Sequence, residues 1–299
     1  MAGATVQLGA INDPHRENFS PVRTVFFAAI HLGALAVFWQ TTWGAVLVCI
    51  ALHILCGGLG ICVGYHRLLT HRSFKTAKIV EYFLALCGAM SMQGGPVQWV
   101  ALHRMHHQHS DTPSDPHSAA EGFWWSHMLW VLNVPKRDEM EAICRRYAPD
   151  LHKQFFYRWL EPVNYLVVFA VAGILYLLGG WPWVVWGMCI RLVATYHITW
   201  FVNSASHLWG YKNFTSNDLA TNNWWVALMS YGEGWHNNHH AFPTSARHGL
   251  KKWEIDLSYL CIRAMKAVGL AWEVYVPSSE TLAAKLLPKN PLEQSEDVA

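Results

Sequence analysis

The chain has 299 residues, of which 53% are hydrophobic and 14% charged, with 18 His, 17 Trp and a formal net charge of +2. A soluble domain carries charge on about a quarter of its residues, so the composition points to a membrane protein, and the near-neutral balance gives nucleic acid no electrostatic handle. The seven cysteines form no Cys-x-x-Cys pair and suggest neither a disulfide framework nor a zinc finger.

Residues 1–20 are fairly polar, with His15, Arg16 and Glu17, and read as an N-terminal segment and not a cleaved signal peptide. Four apolar runs follow, at about 21–40, 44–64, 163–179 and 183–203; a spanning helix needs roughly 20 such residues. Each pair is joined by a short loop, which predicts two helical hairpins. Trp39, Trp43, Trp181 and Trp183 mark the tips, where amphipathic rings favour the interface. The stretch 79–97 is different. It holds Glu81, Gln93 and Gly94-Gly95-Pro96, and histidine clusters flank it that could share a metal only from one side of a membrane. It therefore reads as a buried or interfacial helix that does not cross. All Lys and Arg except Arg191 fall on that same side, which the positive-inside rule makes cytoplasmic. The expected fold is an all-α integral membrane protein, with four transmembrane helices in two hairpins and both termini cytoplasmic. Residues 65–162 and 204–280 form a cytosolic helical cap. Residues 21–280 make one domain, and 281–299 a loosely ordered polar tail.

Three histidine clusters stand out: His66 with His71, His103 with His106 and His107, and His236 with His239 and His240. The second and third repeat the spacing i, i+3, i+4, which puts the imidazoles on one helix face. The first is spaced i, i+5, about 140° apart on an ideal α-helix. That pair suits ligands to different metals, or a helix that breaks between them. His207 follows the last apolar run at the same expected depth. Nine imidazoles exceed the three or four protein ligands of a zinc site, and imidazole also suits iron. Two irons, with four or five ligands each, fit the number, and with O2 they could attack an unactivated C–H bond. Of the other histidines, His31 and His53 read as satisfied bundle residues, and His15, His152 and His248 as surface groups. His197 reads as core packing before a substrate-path residue. His109, His117 and His127 are open between bracing a ligand imidazole and ordinary packing, and so is Glu233. Arg191, alone in mid-membrane, reads as a packing residue paired inside the bundle before a functional charge.

Read together, these segments resemble the membrane fatty-acid desaturases of the delta-9 group, which includes animal stearoyl-CoA and cyanobacterial acyl-lipid enzymes. The likeness rests on Gly-Tyr-His66-Arg-Leu-Leu-Thr-His71, Leu-His103-Arg-Met-His106-His107, Trp200-Phe-Val-Asn203-Ser-Ala-Ser-His207 and Gly-Glu233-Gly-Trp-His236-Asn-Asn-His239-His240, and it runs from about residue 20 to 275. It implies that the nine histidines ligate two irons, that Asn203 approaches one through a water, and that Trp200 sits beside a bent acyl channel. Ala101-Leu102 and Val134-Pro135 stand where the animal enzymes carry charged and basic contacts to CoA, so a membrane-lipid substrate is favoured over acyl-CoA. The expected activity is O2-dependent insertion of a cis double bond, delta-9 in position, with electrons from a separate ferredoxin or cytochrome b5. The membrane would be plasma or thylakoid-type. The competing readings are a membrane diiron hydroxylase and, in another class, a metal or haem transporter. The transporter would need polar residues in mid-span.

Overall fold

The computed structural model describes residues 18–288, and among them it is helical, with only isolated bridges in place of strands. Helix α1 (Pro21–Ala34) begins on Ser20, whose hydroxyl caps the Arg23 amide; Pro21 occupies the first turn, where its missing N–H leaves no bond unmade. With the 3-10 turn Leu35–Phe38 it makes an apolar run of 18 residues. Helix α2 (Trp43–His53), capped by the Thr42 hydroxyl, continues as a π-helix over Ile54–Thr70, so the second run is 28 residues long. It therefore ends six residues beyond the expected 64.

Helices α3 (Lys78–Ala89) and α4 (Pro96–His109) follow. At 12 residues α3 is about 18 Å long, too short to cross a bilayer core of about 30 Å. It lies against the π-helix at close range. A Cβ on Gly60 would stand 2.4 Å from the Cys87 carbonyl carbon, so only glycine allows the approach. The stretch read as non-crossing is thus a short helix, a turn and the start of another.

After the polar helix α5 (Arg137–Tyr147) comes the longest apolar run, Phe155–Leu208, of 54 residues. It consists of α6 (Phe155–Val184), a π-helical stretch Val185–Ile190, α7 (Arg191–Asn203) and, after Ser204, a last helical turn Ala205–Leu208. Gly180 interrupts α6 with φ 65° and ψ −157°, backbone angles that only glycine adopts without strain. Among the described residues these three runs are the helices long and apolar enough to cross a membrane, and they present apolar side chains outward: Leu32 is 67% exposed, Phe38 77% and Leu177 83%. Arg191 is fully buried and donates to the Gly187 and Met90 carbonyl oxygens at 2.6 and 2.8 Å. That agrees with the packing role.

The described residues after 208 fold against the π-helix and α7. They include the six-residue helix α8 (His236–Ala241), α9 (Leu257–Ala267) and α10 (Ser279–Lys285). Helix α10 corrects the loose tail expected from residue 281. The Lys285 ammonium donates to the Ala241 carbonyl, and the Thr215 amide to the Lys285 carbonyl, so the segment docks beside α8. Residues 1–17, with His15, and 289–299 lie outside the described residues.

Candidate metal centre

The π-helix settles the odd spacing of the first cluster. Its i→i+5 hydrogen bonding stacks residues five apart on one side, and the His71 amide donates to the His66 carbonyl at 3.1 Å. The two rings end 4.8 Å apart, centroid to centroid. They face the same point, contrary to the expectation of two metals or a broken helix. Helix α4 supplies His103, His106 and His107. Helix α8 supplies His236, His239 and His240 from one face, while Asn237 and Asn238 point the other way and fix it. The Asn237 amide oxygen accepts from the Asn213 and Phe214 amides at 2.8 and 2.9 Å, and Asn238 bonds Asn213, Asn222 and Glu254.

The nine histidines converge in two groups. His66, His71, His103, His107 and His239 bring one ligand atom each to within 4.8 Å of one another, and so do His106, His207, His236 and His240. In the first group Nε2 atoms face each other at 3.1 Å for His66–His239, 2.9 Å for His239–His107 and 3.1 Å for His107–His103. In the second the gaps are 3.1 Å for His207–His236 and 3.4 Å for His106–His240. Two imidazole nitrogens bound at a right angle to one ion, about 2.1 Å from it, would stand about 3 Å apart.

Carboxylates fix which nitrogen faces inward. The His106 Nδ1–H donates to Asp115 at 2.9 Å, that of His207 to Asp111 at 2.9 Å and that of His240 to Asp218 at 2.6 Å, while Glu233 Oε2 stands 2.8 Å from His66 Nδ1 as a charge neighbour outside hydrogen-bond geometry. Burial works against an ionised Asp115, yet His106 and His117 beside it hold its pKa well below the ordinary value. The His106–His240 pair shows what a neutral centre would need. With each Nδ1–H given to a carboxylate, two neutral rings turn lone pairs toward each other at 3.4 Å, which a cation between them satisfies; without one, His106, whose pKa Asp115 raises against burial, can bridge the gap with a second proton. His71 Nε2 is buried without a hydrogen-bond partner among the described residues. Burial and neighbouring histidines push the pKa values of His103, His107, His236, His239 and His240 well down, which leaves neutral imidazole, the form that binds metal. The donor set fits metal binding.

Other expected residues are distributed as follows. Glu233 stands beside His66 and accepts from the buried Arg67 guanidinium at 3.0 and 3.1 Å. His117 lies 3.7 Å from Asp115, its ring 4.3 Å from that of His106; burial lowers its pKa to about 3. His109 bonds the Tyr147 hydroxyl and joins neither group. His127 bonds Ser204 and His197, which bonds His31, and His53 bonds Thr195, so these rings are satisfied inside the bundle. His152 is half-buried, 3.5 Å from Glu141. The surface role expected for His248 is wrong: it is 1% exposed, with Nδ1 3.0 Å from Glu233 and its ring 4.4 Å from His239. Asp111, Asp115 and Asp218 were missed as braces; the only signal was Asp111 and Asp115 just after the second cluster.

Two cavities meet at this centre. One, of about 340 Å³, runs from Val22 and Arg23 past Phe27 and Trp200; the other, of about 60 Å³, runs on to His53, Thr195 and Tyr231. Trp99, His103, Thr199 and Asn203 line both. Gln93 ties this junction together, donating to Thr199 at 2.9 Å and accepting from the Trp99 indole at 3.3 Å. These three residues also escaped the sequence reading.

The model of one family, fatty acid desaturase, matches residues 21–257. The chain belongs to the fatty acid desaturase family. It is 48% identical over 275 residues to the sn-2 palmitoyl-lipid 9-desaturase of Nostoc sp. (strain 36), covering 90% of this chain and 96% of that one. It is 48% identical over 255 residues to the sn-1 stearoyl-lipid 9-desaturase of Anabaena variabilis, with 85% and 93% covered. It is also 45% identical over 256 residues to an acyl-CoA C20 Delta5-desaturase of Anemone leveillei, with 85% and 81% covered. The desaturase is thus an oxidoreductase of fatty acyl chains, and its histidine groups and apolar helices suit a metal enzyme at a membrane.

Proposed function

We propose that this protein is an O2-dependent acyl-lipid desaturase that places a cis double bond at the delta-9 position of a saturated chain esterified in a membrane glycerolipid. The observation that carries it is the junction of two apolar cavities at His103 and Asn203, beside the paired histidine groups. The lipid-linked carrier and the position are supported by the two cyanobacterial relatives, whose names specify 9-desaturation of lipid-bound chains.

His66, His71, His103, His107 and His239 would hold one iron, and His106, His207, His236 and His240 the other. Bound there, the irons would activate O2 and remove two hydrogens from neighbouring methylenes, with electrons from ferredoxin or cytochrome b5. The protein's share is positional. An acyl chain entering past Arg23 would follow the larger cavity, turn at the Trp99–Thr199 junction and run its methyl end toward His53 and Tyr231. Trp200 and Tyr196, stacked 5.4 Å apart, wall the first limb. The turn favours the cis product, and Asn203 faces both limbs where a water-mediated contact to one iron would fit.

The reading includes four membrane crossings. A helix of 54 residues would be about 80 Å long, far more than a bilayer core, so the break at Gly180 would turn it back as a hairpin. The paired helices α1 and α2 make the other hairpin, and both termini and the metal centre face the cytoplasm. Expression in a host lacking the activity, with gas chromatography–mass spectrometry of each lipid class and of its sn positions, tests the function. Lipid-bound 9-monounsaturated chains are expected. Hydroxylated chains, or no new product, would overturn it.

A further inference from the structure

The larger cavity holds a charge that the reaction does not use. Arg23 lines it at the first turn of α1, and its guanidinium donates to the Val131 carbonyl at 3.1 Å. Among the described residues no carboxylate pairs with it. The other polar residues lining the cavity are neutral amides, hydroxyls and imidazoles, so Arg23 is its one fixed charge. A guanidinium carries five N–H donors, and among the described residues one bond is made to them. An ionised group in an apolar setting is retained at a cost unless it meets a partner.

The surroundings say where that partner stands. Val22 lines the same cavity and is 79% exposed, so the cavity opens at this residue. Phe19 and Val25, on either side of Arg23 in the chain, are 57% and 68% exposed apolar groups. The opening therefore faces lipid. Its rim is pinned: the Ser20 amide donates to the Leu132 carbonyl at 2.8 Å and the Val134 amide to the Asn18 carbonyl at 3.0 Å. Arg23 is thus held by a firm rim beside a sideways opening, with donors that no described residue takes up.

Resting on the acyl-lipid reading above, we infer that Arg23 anchors the substrate at this opening by donating to the ester oxygens of a membrane glycerolipid's glycerol backbone while the acyl chain occupies the cavity. The ester is common to phospholipids and galactolipids and is present whatever the head group. The anchor sets how many methylenes separate the ester from the histidine groups. A specific carrier could thereby be read at the membrane surface without the chain leaving it.

The test uses iron-loaded enzyme in vesicles, reduced through whichever of ferredoxin or cytochrome b5 turns over the wild type. Phosphatidylglycerol and monogalactosyldiacylglycerol with saturated chains are compared as substrates, with stearoyl-CoA as a third. Arg23→Ala should raise KM for both lipids about tenfold or more, with a smaller change in kcat, and should spread the double bond over neighbouring positions. Arg23→Lys should recover part of the KM. A loss confined to phosphatidylglycerol would overturn ester recognition in favour of a head-group contact, and unchanged KM and position for both lipids would overturn the role of Arg23 altogether. Activity of the wild type on stearoyl-CoA alone would overturn the lipid-linked reading and this inference together. If Arg23→Ala loses iron or helicity, Arg23→Gln, which keeps donors without charge, carries the same comparison.

Discussion

The two histidine groups draw on different support. The five-histidine group takes rings from the π-helix and its end, from α4 and from α8, and only His66 among them has a carboxylate near its Nδ1, Glu233 at 2.8 Å, without a hydrogen bond between them. The four-histidine group has one ring fewer, yet His106, His207 and His240 each rest on an aspartate. A carboxylate on Nδ1 fixes the ring and makes Nε2 more basic. One group thus relies on ligand number and the other on ligand strength. Two ions held this way would be inequivalent, the second facing three negative charges just behind its ligands.

The largest effect comes from removing a ligand private to one group. His71 belongs only to the five-histidine group and His207 only to the four-histidine group. His71→Ala and His207→Ala should each lower desaturation to background. Iron should fall from about two per chain toward one, and Mössbauer spectra should retain a different component in each variant. Full activity in either variant would sink the ligand assignment, and identical residual spectra would sink the inequivalence.

A smaller effect distinguishes the carboxylates. Asp218 serves His240 from a surface loop, whereas Glu233 stands beside His66 and His248 and pairs with Arg67 in the interior. Asp218→Asn should weaken iron retention about 10–100-fold against a chelator and leave the fold intact. Glu233→Gln should do the same and also destabilise the protein by about 3 kcal/mol, because Arg67, fully buried, loses a charged partner. Thermal unfolding of the iron-free proteins isolates that second term. Equal melting temperatures for the two variants would show that Asp256, 2.9 Å from Arg67, suffices to hold it.

Much of this was legible in the sequence, and the reason differs by residue. The i, i+3, i+4 spacing of the α4 and α8 histidines is a helical-face pattern that survives folding, so their convergence could be read directly. The i, i+5 pair could not, because a π-helix is a change of hydrogen-bond register without a residue signature. Apolar runs marked the long helices, but not how far the second extends beyond the apolar stretch. Buried polar residues such as Arg67 continue that helix because partners from residues 233 and 256 satisfy them. Those partners are more than 160 residues away in the chain, outside the reach of any local pattern.

His248 carries that lesson to its smallest test. Flanked by Arg247 and, a few residues on, by Lys251 and Lys252, it looks like a surface group. Two amides and the Arg67 guanidinium bonding Asp256 nevertheless fold the segment inward, because the His248 and Gly249 amides donate to that carboxylate at 2.7 and 3.2 Å. The ring then packs on His239 and shares Glu233 with His66. If it steadies Glu233, the five-histidine group has a brace that the other group does not need. His248→Leu fills similar volume without a donor and should cost about 1–3 kcal/mol of stability, with weaker iron retention confined to the five-histidine group. His248→Gln, which keeps an N–H toward Glu233, should restore most of both. A leucine variant with wild-type melting temperature and two firmly held irons would mean that Arg67 alone fixes Glu233, and the apparent weakness of that group's support would then be real.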